Sequence, residues 1–139
     1  MSPPEPPPEF FVDRSLGRKR VPAALRAEGL VLRTMAEEYG ERVGQGLADT
    51  EWLRDAGENG WIVLSKDDRI RRRPAEIAAV REHAIRMFCL TNANLTGTQQ
   101  AQRFVTNIDA MMRQARVAGP WIYGVYDSGI RPLVPPPKH

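Results

Sequence analysis

Three aspartates, Asp13, Asp49 and Asp67, are the residues of this sequence best placed to do chemistry. Asp13 ends the apolar run Phe10-Phe11-Val12, and Asp67 follows Trp61-Ile62-Val63-Leu64 after Ser65 and Lys66. Each run reads as a short strand buried on both faces, because consecutive apolar residues leave no side for water. If the two strands are neighbours in an open parallel sheet, their carboxylates meet at its carboxyl edge, where such sheets bind ligands. Carboxylates crowded there repel and raise one another's pKa. A hard divalent cation such as Mg2+ or Mn2+ relieves the repulsion, since it takes oxygen ligands and waters. It also activates water and offsets charge on a phosphoryl oxygen. Asp13 needs a partner if it is buried at all. Asp49 has two readings, a helix N-cap or a third acid of the cluster. Glu51, on the same turn, either complements the helix dipole or joins the acids.

The other reactive residue types narrow the choice. The single cysteine, Cys89, lies in the apolar run Met87-Phe88-Cys89-Leu90 and reads as a buried, inert thiol. Two histidines, His83 and His139, are too few for a zinc centre or a Ser-His-Asp triad. Catalysis therefore falls to carboxylates with a metal. The net charge is only +3, but basic residues cluster at Arg18-Lys19-Arg20 and at Lys66, Arg69, Arg71, Arg72 and Arg73. Such clusters suit a polyanion, because each phosphate contact releases counterions. The plainer alternative is a solvated face, with Arg71 to Arg73 paired to Glu76. The position of the second cluster directly after Asp67 favours substrate binding, and arginine's fork matches phosphate oxygens.

The elements that must carry these residues alternate. Strands are expected at 9–13, 30–33, 61–65, 85–90 and 121–126, and helices at 21–29, 49–60, 74–83 and 98–117. A helical turn is expected at 35–39 and a flexible loop at 40–46. The helix at 98–117 rests on seven apolar residues from Ala101 to Ala115 at helical spacing. Alternation of this kind predicts right-handed β-α-β units and an α/β fold, a three-layer α/β/α sandwich with a mostly parallel five-stranded sheet. The 139 residues suit one domain over 10–131, between Pro-rich, flexible tails at 1–9 and 132–139. No apolar run approaches the roughly 20 residues of a bilayer span. The first residues lack a charged n-region and apolar h-region, so no membrane association and a cytoplasmic location are expected.

Taken in order, Phe10-Phe11-Val12-Asp13-Arg14-Ser15-Leu16-Gly17, Asp49-Thr50-Glu51-Trp52-Leu53 and Trp61-Ile62-Val63-Leu64-Ser65-Lys66-Asp67 resemble the PIN-domain ribonucleases, in particular the VapC-type toxins of toxin-antitoxin pairs. The resemblance spans roughly 10–90. It implies a parallel sheet with helices on both sides, acids at the strands' carboxyl ends, one or two Mg2+ or Mn2+ ions, and endonucleolytic cleavage of RNA. By position it makes Asp13 and Asp67 metal ligands, Asp49 the second acid and Glu51 its alternative. Ser15 and Ser65 would orient ligands or water, and Arg14 with the basic cluster would bind RNA. Where the family often carries a fourth acid, after the fourth strand, this chain has Asn92 and Asn94, which would likewise orient a ligand or water. The resemblance further implies a cognate antitoxin protein and a homodimer. Two other readings stay open, a degenerate PIN-like domain that binds RNA or a partner without cutting, and a receiver-like Mg2+-binding module. No Gly-x-Gly-x-x-Gly follows the first strand, against a dinucleotide fold.

Overall fold

A computed structural model describes residues 6–16, 19–66 and 72–134. Its centre is β1 (Glu9–Val12), whose alternate side chains feed opposite faces of the sheet. Phe10 and Val12 join one core and Phe11 the other. A 3-10 turn at Arg14–Leu16 leads to α1 (Arg20–Ala27) and β2 (Val31–Thr34), and then to α2 (Met35–Tyr39), α3 (Glu41–Gly46) and α4 (Asp49–Asn59). The chain continues through β3 (Ile62–Ser65), α5 (Pro74–Glu82), β4 (Arg86–Cys89), α6 (Gly97–Thr106), α7 (Ile108–Gln114), β5 (Trp121–Tyr126) and β6 (Gly129–Val134).

The sheet order is β2-β1-β3-β4-β5-β6, parallel throughout except for the antiparallel β5–β6 pair. After β1 the chain first adds β2 on one side and then β3 on the other. The switch point of the topology therefore lies between the carboxyl ends of β1 and β3, where open α/β sheets place their ligands. On one face Val21 and Leu25 of α1, Ala101 and Phe104 of α6 and Met111 of α7 pack on Ile62, Leu64 and Phe88. On the other, Trp52, Leu53 and Ala56 of α4 and Ala79 and Val80 of α5 cover Phe11, Val63 and Met87. The result is the expected α/β/α sandwich. Among the described residues, no helix is long and apolar enough to cross a membrane.

Several expectations are corrected. The sheet has six strands, not five, because Pro132 to Val134, expected in a flexible tail, belong to β6. An edge strand tolerates Pro132, whose missing N–H costs no ladder bond on the open side. The single helix expected at 98–117 is two helices broken at Asn107. The buried Asn107 amide donates to the carbonyls of Arg103 (2.8 Å) and Tyr126 (2.7 Å), so its side chain ties the break to the end of β5. The loop expected at 40–46 is helical. Gly44 packs so closely on Met35 that a Cβ there would lie 2.9 Å from the Met35 Cγ.

Candidate active site

Asp13 leaves the end of β1 and continues the ladder for one more step, its N–H donating to the Leu64 carbonyl on β3 (3.1 Å). The 3-10 turn then folds the chain back over its side chain. Asp13 Oδ1 accepts from the Ser15 N–H at 2.7 Å and also from the Ser15 hydroxyl. A carboxylate bonded to the backbone two residues on is the usual device for such a turn. The Ser15 hydroxyl in turn accepts from the Lys66 N–H (2.9 Å) and lies 3.5 Å from the Ser65 hydroxyl. Asp13, Ser15, Ser65 and the Lys66 backbone thus form one hydrogen-bonded cluster across the β1–β3 switch point.

Asp13 is only 3% exposed. Burial pushes its pKa above the ordinary carboxylate value, and the Asp49 charge adds to the rise, while the bonds from Ser15 and Ser65 oppose it. Among the described residues no Lys or Arg pairs with it. A buried carboxylate with a like-charged neighbour and, among the described residues, no cationic partner fits a hard divalent cation. No group of three His, Cys, Asp or Glu side chains assembles among the described residues. Asp67, Arg69 and Arg71 lie outside them.

Asp49 is not an N-cap. Ala48 takes that position, and Asp49 is the first residue of α4, where its charge faces the positive end of the helix. Its Oδ1 accepts from Arg14 Nη2 (3.0 Å) and from Trp52 Nε1 (2.9 Å), and its Oδ2 lies 3.6 Å from Arg73 Nη1. The packing explains the placement, because the Trp52 ring stacks on Phe11 of β1 with centroids 5.6 Å apart. The same Phe-Phe-Val run that delivers Asp13 therefore also anchors the start of α4. Glu51 points out to solvent from the same turn.

The remaining candidates divide. Asn92 and Asn94 follow β4 and are exposed, the Asn92 side chain accepting from the Asn94 N–H (2.9 Å) in a local turn. Arg14 is drawn onto Asp49 and the Gly44 carbonyl (2.6 Å). Arg73 is shared between Asp49 and Glu76 (3.4 Å), as the pairing alternative anticipated for Glu76. Lys66 is half-buried and Arg72 exposed. Cys89 is buried, as expected. Sequence reading missed Trp52 as a hydrogen-bond donor to the site; its place three residues after Asp49, one helical turn on, was the available signal. It also missed a groove of about 220 Å³ lined by Leu95, Gln99, Gln102, Arg103, Thr106 and Asp127, between α6 and the β5–β6 turn.

A parallel sheet with its topological switch at β1 and β3, and a buried aspartate there, defines an α/β protein with an acidic site. The chain belongs to the PIN-like domain family, which it matches over residues 8–92. It is 42% identical over 121 residues to a protein of Mycobacterium tuberculosis strain H37Rv named "Putative ribonuclease VapC45", covering 87% of this chain and 88% of that relative. No solved structure matches the chain.

Proposed function

We propose that this protein is a metal-dependent endoribonuclease, the toxin of a toxin-antitoxin pair. The observation that carries the reading is Asp13, a buried carboxylate without a described cationic partner, at the switch point of a PIN-like sheet. The name of the mycobacterial relative supports the same activity. Asp13, Asp49 and Asp67 would hold one or two Mg2+ or Mn2+ ions. A cation bound there supplies a water nucleophile and neutralises charge developing on the phosphodiester.

The chain's own residues have separable tasks in this reading. Ser15 and Ser65 fix the Asp13 carboxylate and can orient water beside it. Lys66 and Arg72, with Arg69 and Arg71, hold the RNA backbone, and their charges stabilise the transition state. RNA is the substrate, a cognate antitoxin protein the inhibitor, and a homodimer the assembly. The location is the cytoplasm. The domain that runs from β1 to β6 carries the activity, with Glu51 the alternative to Asp49.

The test is cleavage of a mixed pool of structured RNAs by purified protein with Mg2+ or Mn2+, against EDTA and the variants Asp13→Asn and Asp67→Asn. Metal-dependent cutting that falls at least about 100-fold in either variant supports the nuclease. RNA binding without cutting supports the second reading, a binding-only PIN-like domain, which the amides Asn92 and Asn94 in place of an acid after β4 favour.

A further inference from the structure

Asp49 is clasped at one carboxylate oxygen by two donors. Arg14 reaches it at 3.0 Å and is itself held by the Gly44 carbonyl at 2.6 Å, while Trp52 Nε1 bonds the same oxygen at 2.9 Å. Arg14 sits one residue after Asp13, so the turn that fixes one acid also aims a guanidinium at the other. The Gly44 carbonyl is there because α3 packs tightly on Met35. The pair is sheltered, with the Arg14 side chain 30% and the Asp49 side chain 18% exposed. Partial burial leaves such a pair less screened than one in bulk solvent.

We propose that Arg14 is a positioning residue that competes with the divalent cation for Asp49. With the site unloaded, the guanidinium neutralises Asp49 and keeps the carboxylate at the mouth of the site. A cation that takes Asp49 as a ligand displaces the Arg14 contact, which leaves the guanidinium beside the cation and able to meet a phosphate of the RNA. Cation loading and phosphate binding are then coupled through one side chain. The inference rests on the reading of Asp13 and Asp49 as a cation site.

The experiment is a Mn2+ titration followed by electron paramagnetic resonance, with wild type, Arg14→Gln, Arg14→Lys, Asp49→Asn, Asp13→Asn and the double variant Arg14→Gln/Asp49→Asn. Arg14→Gln should bind Mn2+ about tenfold more tightly, because a competing positive charge a few ångströms away is removed. Arg14→Lys, which retains the charge without the fork, should stay near wild type. The gain should vanish in the Asp49→Asn background, which separates competition at Asp49 from a change elsewhere. Unchanged or weaker Mn2+ binding by a folded Arg14→Gln overturns the proposal and makes Arg14 a scaffold for α4. If Arg14→Gln does not fold, Mn2+ binding by Asp49→Asn as tight as wild type overturns it, and a loss supports it. Mn2+ binding undiminished in Asp13→Asn would overturn the cation-site reading itself, whatever Arg14 does.

Discussion

Replacing Asp13 by Asn should make the protein more stable while abolishing its proposed activity. Ionised Asp13 is almost wholly buried, and its pKa is raised by desolvation first and by Asp49 as well. An ion in such a place carries a penalty of several kcal/mol, taken here as roughly 4. The Ser15 N–H, the Ser15 hydroxyl and the Ser65 hydroxyl return part of it. Each bond is about 1 kcal/mol stronger to a charged acceptor than to a neutral one, about 3 kcal/mol together. The neutral amide escapes the penalty and forgoes that bonus, a net gain of about 1 kcal/mol, or about 3 °C in Tm for a chain of this size. The sign with pH follows from the raised pKa. The folded protein keeps the Asp13 proton to a higher pH than the unfolded chain does. Wild type therefore loses stability relative to the variant as pH climbs from the ordinary carboxylate range through the folded value, and the two converge in acid. Calorimetry with EDTA at pH 7 and below the ordinary carboxylate range reads this directly. Mn2+ should then raise the Tm of wild type but not of Asp13→Asn, since only the former binds it. A variant less stable than wild type at pH 7, or a gain that persists in acid, would refute the reasoning.

Two other outcomes are expected. Asn107→Ala should lower stability by about 2 kcal/mol in urea unfolding, since it removes both hydrogen bonds from the buried Asn107 amide to the half-buried carbonyls of Arg103 and Tyr126; a loss below about 0.5 kcal/mol would mean that water replaces the amide. Charge reversal at Lys66 and Arg72 together should weaken RNA binding and flatten its salt dependence by about 1.4 in the log-log slope, because two phosphates of a single strand are no longer neutralised; an unchanged slope would return both residues to a solubilising role.

Much of the site's scaffold was legible in the chain. Phe10-Phe11-Val12 and Trp61-Ile62-Val63-Leu64 are apolar at every position, which suits a short strand covered on both faces, and the polar residue after each then lies at the sheet's edge. The order of strands and helices then required a parallel sandwich. That β1 and β3 are neighbours was a condition in the sequence and became a fact only in the sheet order, which also brings Ser65 to Asp13; Asp67 lies outside the described residues. The reason is that pairing is decided by contacts between segments some fifty residues apart, which no local pattern encodes.

The misses have the same origin. The apolar face from Ala101 to Ala115 runs on through Asn107, and periodicity is blind to a side chain that leaves the helix to bond the Tyr126 carbonyl. Pro132 reads as a breaker, yet as an edge residue of β6 it is harmless. The strand-end aspartate, the serine beside it and the acid that opens α4 were determined by the sequence itself, because burial pattern and residue type are local properties. Tertiary structure alone decided that Arg14 and Arg73 both reach Asp49, because the turn after β1 and the starts of α4 and α5 meet only once both helices pack on the same face of the sheet.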